Sequence, residues 1–203
     1  MSPDKTLVVS DPWEGHNKPV RRLDWSPNGL EIASGSEDGT IRRWNPHTGQ
    51  QIGLPVQTGH GQVHTIKYSP QGDQFMSGGA DEIIRVWSKD GELLIEIKIK
   101  GHDNWVYSLC WSKDGAHIFS GSEDDTIRKW RSIVGKGVFV LHGHSRAVIS
   151  LCISSDERHL FRASADYSIF SSYLGPDDQS ASRKPPPARW KSRGPLQAAR
   201  TVP

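Results

Sequence analysis

Hydrophobic and polar residues alternate along most of this chain with a period of two, the pattern of half-buried β-strands. In the clearest stretch, Val20, Leu23 and Trp25 lie on a short first strand whose alternation is broken by a bulge. A Ser-Pro-Asn-Gly turn then leads to a second strand, and a tight Glu-Asp-Gly turn leads to a third that ends at Trp44. A fourth strand is predicted near residues 50–57. The pattern therefore predicts a four-stranded antiparallel meander of about 43 residues.

This meander is repeated along the chain. Its three clear copies and one decayed copy read WSPNGLEIASGSEDGTIRRW (25–44), YSPQGDQFMSGGADEIIRVW (68–87), WSKDGAHIFSGSEDDTIRKW (111–130) and ISSDERHLFRASADYSIFSS (153–172). A Gly-His pair precedes every copy, and the four histidines are spaced 44, 42 and 42 residues apart. A single meander cannot cover both of its faces, so the copies must pack sheet on sheet around an axis.

Each clear copy has the same order of motifs: Gly-His, then Ser-x-x-x-Asp, then a tryptophan six residues beyond the aspartate. In this order the chain resembles the WD-repeat (WD40) β-propeller family over residues 15–174. The closing Trp-Asp of that family is Trp-Asn, Trp-Ser and Trp-Arg here, at a position that varies within the family. The resemblance implies an all-β fold: a β-propeller of four-stranded antiparallel blades, with four WD-type repeats in a small or incomplete ring.

The repeats divide the chain into three parts. An N-terminal segment, 1–14, contains KTLVVS (5–10), whose composition suits the closure strand of the family. Four blades follow over 15–175, at about 15–58, 59–100, 101–142 and 143–175, and a Pro-rich basic tail over 176–203 is predicted to be disordered. Four blades leave three outcomes: a strained closed ring, an open arc that pairs with another copy or chain, or part of a longer array. We favour association or incompleteness, because an open arc exposes the apolar sides of its end blades.

Composition and charge exclude several classes of function. No segment approaches the roughly 18 apolar residues of a membrane span, and we expect an intracellular protein, cytoplasmic or nuclear, without membrane association. The tail carries six basic and two acidic residues, so its net charge is +4 and the other 175 residues carry a net charge of −2. A body of that charge argues against nucleic acid as a partner. Two cysteines cannot form a four-cysteine zinc site, and we expect neither metal nor cofactor.

Each of the first three copies places a histidine, a serine and an aspartate at fixed offsets, the residue types of an acyl-transfer triad. A catalyst needs one such set in a cleft, whereas this chain has the set in three of its four copies. In the family these residues form, with the tryptophan, a buried hydrogen-bonded tetrad, and the resemblance implies the same role here. The tetrads would be His16, Ser34, Asp38 and Trp44; His60, Ser77, Asp81 and Trp87; His102, Ser120, Asp124 and Trp130; and, incompletely, His144 with Asp166. No catalytic residue is therefore predicted.

A function without a reaction must lie on a surface. The resemblance implies that partners dock on the face that carries the loops before the first strand and between the second and third strands of each blade. Trp105 is the main candidate there, because rigid aromatic side chains within polar rims are frequent hot spots, although it could equally pack against the neighbouring blade. The other candidates supply charge, and they are Lys18, Glu37, Glu123 and Arg146.

These observations predict a non-catalytic protein–protein interaction scaffold whose partners are other proteins, with self-association as one means of completing the ring. One alternative is a nucleic-acid or ribonucleoprotein-associated module that uses the basic tail. A second alternative is a hydrolase built on one of the Ser-His-Asp sets.

Overall fold

The computed structural model describes residues 11–97 and 101–175, and this part of the chain is built from four antiparallel sheets without a helix. The first sheet contains β1 (Val20–Trp25), β2 (Ile32–Ser36), β3 (Thr40–Trp44) and β4 (Gln51–Gln57). The second contains β5 (Val63–Tyr68), β6 (Gln74–Gly79), β7 (Ile84–Ser88) and β8 (Leu93–Ile97). The third contains β9 (Val106–Trp111), β10 (His117–Ser122), β11 (Ile127–Arg131) and β12 (Lys136–Leu141). The fourth contains β13 (Val148–Ile153), β14 (His159–Ser164) and β15 (Ile169–Tyr173).

In every sheet the strands pair in chain order, so each sheet is a meander and forms one blade, numbered here 1 to 4. The predicted all-β propeller architecture is thus confirmed. Within the described residues blade 4 contains three strands, the third of which ends at Tyr173. The segment 5–10 that was predicted to close the ring lies outside the described residues, as does the tail.

The bulge that the sequence suggested in the first strand occurs in all four blades. In blade 1 the pairing of β1 with β2 shifts between Val20 and Arg22, and the first strands of the other blades shift at the equivalent place. A bulge leaves one residue without a partner and redirects its side chain. The unpaired residues are Arg21, His64, Tyr107 and Ile149.

The hydrophobic core lies between consecutive blades. Ile41 of blade 1 belongs to the same buried cluster as Ile66 and Phe75 of blade 2, and two further clusters join blade 2 to blade 3 and blade 3 to blade 4. The first strands β1, β5, β9 and β13 contact one another in that order, which places them along the inside of the arc. Hydrogen bonds do not close the four blades into a ring within residues 11–97 and 101–175.

The same part of the chain contains no helix that is long and apolar enough to span a lipid bilayer.

Candidate interaction surface

Blade 3 shows how the repeated histidine, serine, aspartate and tryptophan are arranged. The indole Nε1–H of Trp130 donates to Ser120 Oγ over 2.8 Å, and Ser120 Oγ lies 2.6 Å from His102 Nε2. On the other side of the ring, His102 Nδ1 lies 2.8 Å from Asp124 Oδ2. Because a carboxylate only accepts, His102 carries its proton on Nδ1 and accepts the serine hydroxyl at Nε2. The four side chains thus form one continuous hydrogen-bonded row from the third strand to the loop before the first.

Blades 1 and 2 repeat this row. The corresponding His–Asp, His–Ser and Trp–Ser distances are 2.8, 2.7 and 2.7 Å in blade 1 and 2.5, 2.7 and 2.8 Å in blade 2. Both Ser77 and Ser120 are 0% exposed, and Ser34 is 2% exposed. Each serine oxygen also accepts the indole N–H, so a substrate carbonyl has no open approach to it. The arrangement satisfies buried polar groups and ties loops to strands.

The aspartate of each row is held as a carboxylate. Burial alone would raise the pKa of Asp124, but hydrogen bonds from His102 and Thr126 outweigh burial and hold the pKa well below its usual range. The Thr126 amide donates to one carboxylate oxygen over 2.9 Å, and its hydroxyl donates over 2.6 Å. The Asp103 amide donates to the other oxygen over 3.1 Å. Asp124 therefore fixes both the turn that contains it and the loop that contains His102.

The row is incomplete in blade 4. His144 Nδ1 still lies 2.9 Å from Asp166 Oδ2, but Arg162 replaces the serine and Ser172 replaces the tryptophan. His144 Nε2 and the Nε and Nη1 atoms of Arg162 are buried without a hydrogen-bond partner. The Arg162 guanidinium instead lies 5.4 Å from the centroid of the Phe170 ring. Blade 4 thus buries a guanidinium group, two of whose three nitrogens have no hydrogen-bond partner.

The loops that carry the predicted binding residues are fixed by the same contact in each blade. The Glu37 amide donates to the Pro19 carbonyl over 3.0 Å, and in blade 3 the Glu123 amide donates to the Trp105 carbonyl over 2.9 Å. Blades 2 and 4 have the equivalent bonds at 3.1 and 3.0 Å. These bonds join the loop before the first strand to the turn after the second. The face formed by these loops, called here the loop face, therefore presents side chains from a rigid backbone.

Trp105 forms a small aromatic surface on the loop face with two residues of the bulges. Its ring stacks on His64 of blade 2 at a centroid distance of 5.3 Å, and Tyr107 contacts both rings edge-on at 5.3 and 6.2 Å. Trp105 nevertheless remains 41% exposed. The two roles considered for Trp105 thus coexist, since the ring packs on the neighbouring blade with one part and faces solvent with another.

His64 and Tyr107 are held in their neutral forms. Burial, with Arg21 nearby, lowers the pKa of His64, whose Nε2 has no hydrogen-bond partner. Burial and a hydrogen bond to Glu123 raise the pKa of Tyr107 to about 12. An uncharged aromatic surface with carboxylate and guanidinium groups at its edge is the composition expected of an interface centre and its rim.

An open cleft of about 520 Å³ lies beside the aromatic surface, between blades 3 and 4. Tyr107 and Ile149 supply its apolar wall, while Glu123, Asp125 and Arg146 supply charges of both signs. The structure thus brings three of the predicted binding residues to one place on the loop face, namely Trp105, Glu123 and Arg146.

The remaining two predicted binding residues lie in blade 1. The Glu37 carboxylate forms an ion pair with Arg21, so its charge is compensated within the chain. The side chain of Lys18 is exposed and does not line the cleft.

Sequence reasoning missed the contribution of His64 and Tyr107. The signal that could have identified both residues is the repeat itself, because each occupies the unpaired position of the bulge. That position is Arg21 in blade 1 and Ile149 in blade 4.

Comparison with known proteins agrees with this architecture. The pattern of the WD40 family, described as "WD domain, G-beta repeat", matches residues 5–45, 53–88, 92–131 and 135–170. Ribosome biogenesis protein ERB1 of Debaryomyces hansenii is 45% identical over 40 residues, which is 20% of this chain and 5% of that protein. Ribosome biogenesis protein BOP1 homolog of Oryza sativa subsp. japonica is 48% identical over 54 residues, 27% of this chain and 8% of that protein. Each match therefore spans about one blade of a much longer relative.

The crystal structure of the computationally designed Ika4 protein is similar in fold. Its TM-score is 0.69 at 24% sequence identity, and the similarity covers 82% of this chain and all of the designed one. At that identity the likeness concerns the fold alone.

Proposed function

Because the chain belongs to the WD40 family, four of whose repeats cover most of its length, we propose that it is a non-catalytic scaffold that binds a protein on its loop face. One observation carries the proposal. The half-exposed Trp105 ring stands on a rigid loop beside a cleft lined by charges of both signs. A fixed aromatic side chain loses little conformational entropy on binding, so it is suited to anchor a partner.

The contacts also suggest the chemistry of the partner. The Trp105 ring and the Tyr107 and Ile149 wall would receive an apolar side chain, and Glu123 and Arg146 would pair with polar or charged groups on either side. The charged pairs would mainly set specificity and the rate of association, while the aromatic contact would supply affinity.

The hydrolase alternative is disfavoured by the buried serines and by the repetition of the set. Loss of activity in Ser120→Ala with folding intact would support a hydrolase, whereas loss of folding in His102→Ala would support the structural row. The nucleic-acid alternative depends on the basic tail 176–203, outside the described residues. RNA binding that falls steeply with salt, and that disappears when 176–203 are deleted, would support that alternative.

The names of the relatives bear on the compartment. Both relatives described above are named ribosome biogenesis proteins, which favours the nucleus among the two compartments left open by the sequence. A fluorescent fusion of the full chain tests this, and a signal confined to the cytoplasm would contradict it.

Self-association, the other expectation about partners, would use the end blades instead of the loop face.

The proposal is tested with matched variants in a binding assay. A partner recovered on the wild-type chain is purified, and its affinity is measured by calorimetry for wild type, Trp105→Ala and Leu54→Ala. Leu54 is also apolar and exposed, but it lies on β4, the outer strand of blade 1. We expect Trp105→Ala to weaken binding by at least about tenfold, the effect of a hot spot, and Leu54→Ala to leave it unchanged. Equal affinity for all three proteins would refute binding through Trp105.

A further inference from the structure

The three junctions between consecutive blades use the same three positions of the incoming first strand. In blade 2 these positions are Val63, Ile66 and Tyr68, and all three side chains are buried against blade 1. The equivalent residues of blades 3 and 4 pack in the next two junctions, Trp111 and Ile153 being partly buried there and the others buried, and they are Val106, Leu109 and Trp111, and Val148, Leu151 and Ile153. This set of three is called here the docking ridge.

The docking ridge of blade 1 has the same apolar character but lies open to solvent. It consists of Val20, Leu23 and Trp25, of which Leu23 is 62% and Trp25 is 56% exposed. The equivalent Ile66 is 1% exposed in blade 2. Blade 1 thus presents, on its free side, the residues that hold the other blades together.

Blade 4 presents the opposite side of the same junction. Phe161 and Ile169 occupy the positions of Phe119 and Ile127, which receive the docking ridge of blade 4 in the internal junction. Phe119 and Ile127 are buried, whereas Phe161 is 41% and Ile169 is 74% exposed. The two ends of the arc are therefore complementary to each other.

A hydrogen bond across the last junction adds a polar feature to this complementarity. The Leu151 amide of blade 4 donates to Ser108 Oγ of blade 3 over 2.9 Å. Ser150 occupies the position of Ser108 in blade 4, and Leu23 occupies the position of Leu151 in blade 1. The free end of blade 4 thus carries an acceptor for the amide at the centre of the blade 1 ridge.

We propose that two copies of this chain associate head to tail, with the docking ridge of blade 1 in one copy seated on blade 4 of the other. The contact is the internal junction repeated between molecules, and it is heterologous, because different surfaces of the two copies meet. Two copies offer two ridges and two receiving faces, so a pair of contacts buries all four and forms an eight-bladed ring. The proposal concerns the end faces and is independent of binding on the loop face.

One residue makes this contact weaker than the internal junctions. Val63, Val106 and Val148 each pack on a glycine of the preceding blade, and a Cβ on Gly35, Gly78 or Gly121 would lie only 2.6 to 2.7 Å from the valine Cγ1. Blade 4 has Ala163 at this position. Val20 of the second copy must therefore shift to accommodate a methyl group that is absent from the other three junctions.

The test is sedimentation velocity of the full chain over a concentration series, with three variants. Leu23→Asp places a charge on the ridge, Ala163→Gly restores the glycine of the internal junctions, and Leu54→Asp places the same charge on the outer strand of blade 1. We expect wild type to reach twice the mass of one chain, Leu23→Asp to remain single, Ala163→Gly to associate about tenfold more tightly, and Leu54→Asp to behave as wild type. Circular dichroism verifies that every variant is folded.

Other outcomes would overturn the proposal. A wild-type chain and an Ala163→Gly variant that both remain single up to about 100 µM, a micromolar-range limit, would exclude the contact. Equal weakening by Leu23→Asp and Leu54→Asp would show that association is a nonspecific effect of apolar surface. A paired wild type with an unchanged Ala163→Gly affinity would show that the copies meet in another geometry.

Discussion

Replacing Asp124 by alanine removes an acceptor that receives four hydrogen bonds at once. They come from the His102 ring, from the Thr126 amide and hydroxyl, and from the Asp103 amide. The Asp103 amide lies near solvent and can bond to water after the substitution, and the Thr126 hydroxyl can rotate to another acceptor. The His102 Nδ1–H is left with only a longer contact of 3.3 Å to Thr126 Oγ1, and the buried Thr126 amide loses the acceptor that it has now.

The expected cost follows from these two donors. Each buried donor left without an acceptor costs about 1–3 kcal/mol, so Asp124→Ala should lower the free energy of unfolding by about 2–6 kcal/mol. The total free energy of unfolding of a folded domain is about 5–15 kcal/mol, so the variant would lose a large share of its stability. The stability that Asp124 contributes also depends on pH, because folding lowers the pKa of Asp124. This stability is fully present above the pKa of an unfolded aspartate and is lost as the pH falls towards the lower pKa of the folded state.

Urea denaturation at neutral pH, followed by circular dichroism and tryptophan fluorescence, measures this cost. Asp103→Ala is the matched control, because Asp103 is an exposed aspartate in the same network that contributes only its backbone amide. We expect the control to lie within about 0.5 kcal/mol of wild type, as exposed substitutions usually do. If Asp124→Ala also falls within that range, the row does not hold the blade together and the reasoning is refuted.

Three further substitutions test other parts of the structure, each by urea denaturation. Arg162→Ser removes a buried guanidinium with two unpartnered nitrogens and gives His144 Nε2 a hydroxyl partner, so it should stabilise the chain by about 1–2 kcal/mol; a loss of stability would contradict this. Glu82 has φ 68° where blade 1 has Gly39 at φ 82°, so Glu82→Gly should stabilise by about 0.5–1 kcal/mol, and no gain would show that the turn is unstrained. His64→Phe removes a group whose lowered pKa makes stability fall as the pH drops below 6.5, so the variant should lose less stability than wild type between about pH 7.5 and about pH 5.5; equal losses would exclude His64 as a cause.

Much of the fold could be predicted because the chain repeats. The period-two pattern located the strands, and the equal spacing of Gly-His pairs and tryptophans showed that the meanders are copies. The bulge around Val20 was also visible, since alternation fails there in one copy. These features are local in sequence, so they could be read without knowing which blades meet.

The functional detail depends on contacts between blades, which local patterns do not contain. The stacking of Trp105 on His64 joins residues of two blades, so a scan of either repeat alone could not reveal it. Within blade 1, the Arg21–Glu37 ion pair depends on the bulge at Arg21, which the repeat pattern alone does not show. The significance of Ala163 became visible only when the spacing of the internal junctions was known.

Within residues 11–97 and 101–175, the main contacts between blades run between neighbours in the chain, and this affects how the protein unfolds. Blade 1 packs on blade 2, blade 2 on blade 3 and blade 3 on blade 4. Such an arrangement approximates a one-dimensional array, in which opening begins at either end and spreads one unit at a time. In a single chain that is not associated with a second copy, amide hydrogens of β6 and β10 should therefore exchange more slowly than those of β2 and β14, although all four strands hold equivalent places in their own sheets. A blade is thus protected by the number of its neighbours as much as by its own sequence.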